Sequence, residues 1–429
     1  MIDIRRIREN SDELLERLRR KDRSIELDEV IRMDEEYRKR MVEADDLKNR
    51  RNIVSKDIGI KGISKEERGK KIEEMKLVSD RIKELDDELR ELWGKLESML
   101  LRLPNPPHDS VPVSEDENDK VIVRESGKKP EFGFKFKNHV ELGTELGIFD
   151  FERGAKVSQS MFPLYVGDGA RLEWALINYM RDVLVNEKGF KLVIPPFLVN
   201  ETTMYTSGNL PKFGDQAYRC KDDDLYLIPT SEVPMTSMHR DEIFNEDDLP
   251  LYYCAYSACF RREAGAHGKG ERGLIRVHQF NKVEMFKFVK PETSYDELEH
   301  LVSIAEELVR RLGLHYRTAL LVSTDIAQQS AKTYDIEVWL PGQDRYYEVS
   351  SCSNCEDFQA RRGAIRYKEK DSKKNVLVHT LNGSGLATSR LMVSLVETFQ
   401  REDGSISIPE VLRPYMNGQE VISQGKPQG

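Results

Sequence analysis

CFRREAGAHGKGERGLIRVHQFNKVEMFKF, residues 259–288, decides the fold of the larger part of this chain. Cys259 and Phe260 on one side, and Ile275 to Phe288 on the other, read as two strands, and the glycine-rich basic stretch Gly265–Gly273 reads as their connection. Arg261, Glu263, Arg276, Gln279 and Glu284 lie among strand-forming apolar residues, and charge placed inside a sheet must find a partner or a ligand. A polar ligand is therefore expected. A guanidinium near a strand end offers a planar fork suited to phosphate and able to stabilise charge developing at phosphorus, which makes Arg261 the candidate. The loop taken alone fits an ordinary hairpin connection equally well.

Outward from this pair, apolar alternation in KLVIPPFLV, DLYLIPT, LYYCAYSACF, IEVWL and NVLVHTL, with helical stretches at 169–186, 293–312 and 384–399, predicts an α+β unit on a largely antiparallel sheet. No G-x-G-x-x-G follows a strand and no G-x-x-x-x-G-K-[ST] occurs, which excludes a Rossmann fingerprint and a P-loop. A nucleotide site must be of another kind.

The N-terminal part has a different period. Ile72, Met75, Val78, Ile82, Leu85, Leu89, Leu92, Leu96, Met99 and Leu103 form a heptad seam, which predicts a helix of about 30 residues ending at Pro104, Pro106 and Pro107. Val30, Met33, Tyr37, Met41, Ala44, Leu47 and Val54 form a weaker stripe upstream, and three glycines lie between the two. An antiparallel helical hairpin over about 27–103 lets each stripe bury the other, as a rod about 45 Å long. At its tip, residues 47–71 carry nine bases (Lys48, Arg50, Arg51, Lys56, Lys61, Lys65, Arg68, Lys70, Lys71) against three acids (Asp57, Glu66, Glu67), a local net charge of +6. This is either a solvated coiled-coil face or an arm that grips a phosphate backbone. The proline-rich, then acidic, residues 104–120 read as an exposed linker, so two domains are expected, 1–110 and 111–429.

The net charge of −9 would disfavour a nucleic-acid partner if it were spread evenly. Residues 1–100 hold 26 Lys and Arg against 27 Asp and Glu, however, which places nearly all the acidic excess downstream. Five cysteines in 429 residues argue for thiols in a reducing compartment, and the N-terminus has neither a secretory leader's apolar stretch nor its cleavage site. No apolar run approaches the ~20 residues of a membrane span, and a cytoplasmic protein is expected.

F-R-x-E followed by R-G-L-x-R-x-H-Q-F-x-K-V-E resembles motif 2 of the class II aminoacyl-tRNA synthetases in its seryl form. YEVSSCSNCEDFQARR (347–362) and TLNGSGLATSRLMVSLVE (380–397) are similar to that family's metal-and-ATP strand and to motif 3. LIPTSEVPMTSMHRDE (227–242) resembles its T-x-E serine-binding loop, GFKLVIPPFLVN (189–200) its motif 1 at the dimer interface, and the hairpin its tRNA-binding arm.

The resemblance implies roles residue by residue. Arg261 would contact the α-phosphate, Arg276 the γ-phosphate and Arg390 the phosphate tail, while Phe280 would stack on adenine. Glu263, two residues after Arg261 on the same strand face, would meet the adenine or the amino group near it, with Arg262 and Val277 also in the ATP set. Glu348 and Ser351 match the ligands of a bridging Mg²⁺, with Val349 and Ser350 between them. Their spacing of three puts them on opposite faces of an ideal strand, so a bulge or twist must reconcile them. Glu284 and Ser384 would face the serine side chain, Thr230, Ser231 and Glu232 the α-amino end, and Asn382 would add a polar contact. The implied enzyme uses Mg²⁺ with ATP and no zinc. It joins L-serine to tRNA(Ser), with the selenocysteine tRNA an open second acceptor, and works as a homodimer whose tRNA spans both subunits.

Cys352 and Cys355 form a lone C-x-x-C, short of the four ligands a structural zinc needs. His278 reads as a sheet hydrogen-bonding residue rather than a base. RGAKVSQSMFPLY (153–165) departs from the family pattern, with Gln159 and Met161 where glycine and arginine are usual. Two other readings remain: a ligase that passes an aminoacyl-adenylate to a carrier protein, and a non-catalytic coiled-coil binder. The arm argues against the first, and the joint presence of Arg261, Glu348 and Arg390 argues against the second.

Overall fold

The computed structural model describes residues 1–58, 64–264 and 272–424. The chain forms two compact units, Met1–Pro104 and Asn105–Gly429.

In the first unit, α1 (Asp28–Ile58) and α2 (Lys65–Arg102) are the two arms of the hairpin. Ser64 and Glu67 form a capping box that starts α2, and the 38 residues of α2 exceed the expected 30. The seam buries Met75, Val78, Ile82, Leu85 and Leu96, but its first residue, Ile72, is 54% exposed. Leu100, which is off the seam, is buried together with Leu96 and Leu103 against Ile2, Ile7, Leu14, Leu18, Leu27 and Val30. There the short helices Ile4–Glu9 and Ser11–Arg19 add a third layer and widen the apolar stripe beyond two positions per heptad. Buried Asp34 is held by Arg8 (2.6 and 2.8 Å) and Arg38 (2.9 Å). Leu85, fully buried at the seam, makes a direct test of this packing: Leu85→Ala should cost about 2–5 kcal/mol and lower the midpoint of the helical transition in a thermal melt followed by circular dichroism.

The second unit is built on eight strands: β1 (Val121–Ser126), β2 (Lys191–Val193), β3 (Leu251–Phe260), β4 (Gln279–Val289), β5 (Tyr316–Leu320), β6 (Lys332–Leu340), β7 (Arg345–Asn354) and β8 (His379–Ala387). They lie in the order β1-β5-β6-β7-β8-β4-β3-β2 and pair antiparallel except for β2 with β3. The helices α3 (Asp168–Asp182), α4 (Ser294–Arg311) and α5 (Thr388–Thr398) share one core with Val283, Met285, Ile336, Val349, Cys352 and Leu381 of the sheet. Alternation along β4 then turns Lys282 and Glu284 to the other face, where the site lies.

Several boundaries differ from the sequence expectations. The motif 2 strands end at Phe260 and resume at Gln279, so Arg261, Glu263 and Arg276 flank the sheet instead of lying in it. The connecting residues 265–271 are outside the described residues. The helix expected at 384–399 begins at Thr388, because residues up to Ala387 continue β8. KLVIPPFLV divides at Pro195 and Pro196: Lys191–Val193 joins the main sheet, and Leu198–Asn200 pairs with Leu225–Leu227 elsewhere. Residues 105–107, expected to be exposed linker, are buried; Asn105 Nδ2 donates to the carbonyls of Gln329 (3.0 Å) and Cys355 (2.9 Å). Met161 occupies the left-handed region (φ 66°), while its carbonyl accepts from the His278 N–H at 2.9 Å.

Candidate active site

A cavity of about 480 Å³ opens on the face of the sheet opposite the helices. Thr230, Glu232, Glu284, Asn382 and Ser384 line one end, joined by Lys282. Thr230 Oγ1 donates to Glu284 Oε2 (3.3 Å) and accepts the Glu232 N–H (3.1 Å), so the loop entering the short helix Glu232–Ser237 is tied to β4. Ser384 lies opposite Glu284 in the β8–β4 register. Lys282, two residues before Glu284 on the same strand face, forms an ion pair with it, and both are almost wholly buried. Glu232 accepts from Gln359 Nε2 (2.7 Å) and Gln329 Nε2 (3.3 Å). Burial, then the neighbouring Glu284 carboxylate, push Glu232 up to about 7, against the opposing pull of Lys282 and the two amides.

Next to this end is a recess of about 60 Å³ that shares Arg261, Glu263, Lys282, Glu348 and Ser384 with the cavity and adds Arg276, Val277, Phe280 and Arg390. The Arg261 guanidinium lies 5.1 Å from the Phe280 ring centroid and makes no ion pair among the described residues. Its backbone is fixed by His278: the Arg261 N–H donates to the His278 carbonyl (2.9 Å), and His278 Nδ1 bonds to the Arg261 carbonyl (2.9 Å). His278 is thus a backbone-pairing residue just outside the strand. Arg276 Nη1 donates to Glu263 Oε2 at 2.7 Å. Glu263 has φ 49° and follows the end of β3, so strand alternation does not set its direction. Arg390, near the start of α5, donates to the Ile275 carbonyl (3.1 Å), the Glu348 carbonyl (3.0 Å) and Glu348 Oε2 (2.9 Å).

Glu348 and Ser351 face the same cavity despite their spacing. The β6–β7 register slips between Ile336 and Glu337, pairing Ser350 with Ile336 and Glu348 with Glu337, so Val349 is the extra residue of a bulge. Asp335, opposite Ser351 in that register, also lines the cavity, and its Oδ1 is buried with no hydrogen-bond partner among the described residues. Burial, followed by the charge of Glu348, pushes the Asp335 carboxyl well above the usual carboxylate range. The unpartnered Asp335 oxygen beside Glu348 and Ser351 makes an all-oxygen set, the donor chemistry that a hard divalent ion takes. Among the described residues no three acids, His or Cys converge into a complete cage, so such an ion must draw its remaining ligands from elsewhere.

Four of the expected site residues turn their side chains away. Ser231 Oγ bonds Ser257 (2.6 Å), Val349 packs in the main core, Ser350 Oγ donates to the Ser384 carbonyl (2.6 Å), and Arg262 Nη1 reaches the Asp215 carbonyl (3.0 Å). Lys282, Asp335, Gln329 and Gln359 were not singled out in the sequence; for Lys282 the signal was available, as a charge two residues from Glu284 on one strand face. His139 and Glu397 were also missed. His139 Nδ1 bonds Glu397 Oε1 (2.8 Å) and its Nε2 accepts the Leu274 N–H (3.2 Å), anchoring the chain two residues before Arg276.

On the arm, Lys48 pairs with Asp86 (2.8 Å), Lys70 with Glu66 (3.0 Å), Lys71 with Asp57 (3.5 Å), and Arg50 with Glu74. Arg51, Lys56, Lys65 and Arg68 make no ion pair among the described residues, and Lys61 lies outside them.

A site of convergent arginines and acids on an antiparallel sheet, without a Rossmann or P-loop element, is that of a class II aminoacyl-tRNA synthetase, and residues 218–399 match the family model "tRNA synthetase class II core domain (G, H, P, S and T)". Residues 1–107 match the "Seryl-tRNA synthetase N-terminal domain". The serine–tRNA ligase of Chloroherpeton thalassium is 53% identical over 98% of this chain and 100% of its own length. A crystal structure of seryl-tRNA synthetase from Pyrococcus horikoshii complexed with ATP superposes with a TM-score of 0.93 at 39% identity, covering 99% of this chain and 100% of that one. The cytoplasmic enzyme of Naegleria fowleri in complex with AMP gives 0.85 at 32%, covering 97% and 96%. The chain belongs to the seryl-tRNA synthetase family.

Proposed function

We propose that this chain activates L-serine with ATP to seryl-adenylate and transfers the seryl group to the 3′ end of tRNA(Ser), and of a selenocysteine tRNA where one exists. The supporting observation is the continuity of two differently built chambers: a buried polar end (Thr230, Glu232, Glu284, Asn382, Ser384) opens into an arginine-lined recess through Lys282 and Arg261. Glu232 takes the ammonium of serine, while Glu284 and Ser384 meet its hydroxyl. A side chain without that hydroxyl leaves buried polar atoms unpaired, a stronger basis for selection than size. Arg261 holds the α-phosphate where the serine carboxylate attacks, Phe280 stacks on adenine, and Arg276 and Arg390 take the phosphate tail. Glu348 and Ser351 would hold Mg²⁺, which neutralises triphosphate charge when bound; the all-oxygen set beside Asp335 suits it, and phosphate oxygens complete the ligands. Positioning and charge stabilisation carry the step, and no cysteine lines either chamber among the described residues.

The basic tip of the hairpin supplies phosphate contacts for tRNA. The exposed apolar side chains of Trp174, Leu192, Ile194 and Leu198 around edge strand β2 support a homodimer. Among the described residues no helix is long and apolar enough to cross a membrane, and a cytoplasmic role fits tRNA charging.

Serine-dependent exchange of pyrophosphate into ATP, followed by tRNA charging, tests this reading. Absence of exchange would refute it, and exchange without charging would favour transfer to a carrier instead. The pH dependence is also specified. Glu232 must be ionised to meet an ammonium, so the KM for serine should rise as pH falls through about 7, while the KM for ATP changes less.

A further inference from the structure

Gln359 is fully buried on the short helix Phe358–Arg362, more than a hundred residues along the chain from Glu232. Its three polar valences are used. One N–H donates to Glu232 Oε1 (2.7 Å), the other to the Ser207 carbonyl (2.9 Å), and the side-chain carbonyl accepts from Thr380 Oγ1 (2.7 Å). Thr380 is itself buried, in β8. The Ser207 carbonyl, which only accepts, and the Glu232 carboxylate fix which end of the amide is nitrogen, so the amide cannot flip without leaving buried groups unpaired.

We propose that the relay Thr380–Gln359 is the positioning device for amino-acid binding, holding the Glu232 carboxylate at one place and orientation for the substrate ammonium. This rests on the serine-binding reading of Glu232. The charged groups facing Glu232 are Glu284, which opposes its ionisation, and Lys282, which favours it. Gln329 adds a second, longer amide contact at 3.3 Å. Arg361 and Arg362 share the helix of Gln359 but are turned elsewhere, to Asp357 and to the carbonyls of Tyr205 and Leu210. Burial and the two charges dominate the protonation of Glu232, and the neutral donor Gln359 adds to the pull of Lys282 toward the ionised form while fixing the direction of the carboxylate.

Gln359→Leu removes the donor at similar volume, and serine-dependent pyrophosphate exchange measured against pH on the full-length protein reads the result. The KM for serine at neutral pH should rise roughly 10-fold to 100-fold, the range for losing a hydrogen bond to a charged group. The KM for ATP should stay within about twofold, since the relay touches no residue of the arginine recess. The midpoint of the serine KM profile should also move to higher pH, a displacement that a merely loosened structure would not produce. Thr380→Val and Gln359→Glu give the same readout should the leucine variant fail to fold. The first should move the midpoint the same way by less. The second, placing another carboxylate against Glu232, should move it further. Glu232→Gln serves as the control. If it raises the KM for serine while all relay variants keep the wild-type KM and midpoint, the relay is refuted and the serine reading stands. If Glu232→Gln leaves the KM for serine unchanged, the serine reading itself fails.

Discussion

Arg261→Ala is expected to lower kcat/KM for serine-dependent pyrophosphate exchange by about 10²–10³, the cost of removing one preorganised donor from developing charge. Arg276 is engaged with Glu263, and Arg390 with Glu348 and two carbonyls, whereas Arg261 forms no ion pair among the described residues and lies over Phe280. Its charge is therefore available to a phosphate without first breaking another contact. Arg261→Lys keeps the charge but loses the planar fork and the stacking, so it should recover only part of the rate. Steady-state exchange at varied ATP and serine separates the effects: the loss should fall mainly on kcat, with the KM for serine changed little. A full loss in the KM for serine with kcat intact would place Arg261 in amino-acid binding instead.

Shortening the arm should have a larger effect on the second step and almost none on the first. Lys48 meets Asp86, Arg50 meets Glu74 and Lys71 meets Asp57, which defines the register of α1 against α2. Replacing residues 51–73 by a short glycine linker therefore leaves the remaining hairpin paired. It removes Arg51, Lys56, Lys61, Lys65, Arg68, Lys70 and Lys71 of the basic tip. Charging of tRNA should fall by about 10³ or more, as expected from losing several phosphate contacts, with serine-dependent exchange within twofold of the intact chain. Equal loss of both activities would contradict the division of labour between the two units.

Much of this could be read along the chain because its signals are periodic or locally dense. Met75, Val78, Ile82, Leu85 and Leu96 of the heptad seam are buried as expected, with Leu89 and Leu92 half-buried, since a coiled-coil seam is decided by neighbours three and four residues apart. The bulge at Val349 was implied by two residues of like role at an odd spacing on one strand. What escaped depends on distant partners. Ile275 and Val277 are buried and strand-like in composition, yet lie outside the ladder, because tertiary packing rather than sheet pairing covers them. The prolines before residue 108 looked like linker, and it is the carbonyls of Gln328, Gln329 and Cys355, more than two hundred residues away, that make Asn105 part of the core. Lys282 and Asp335 are charges on the open face of a sheet, which in one dimension resembles an ordinary solvated face. Gln359 becomes informative only when Ser207, Glu232 and Thr380 are brought to it by the fold.

The most direct test is selectivity for the hydroxyl of serine, because the buried Thr230–Glu284–Lys282 cluster opposite Ser384 offers donors and acceptors to such a group. Pyrophosphate exchange should be measured with serine, alanine and threonine at equal concentration on the same protein. Exchange with serine exceeding that with alanine by about 10⁴ is the result expected of a site built to hydrogen-bond a hydroxyl. Comparable rates for serine and alanine would contradict it.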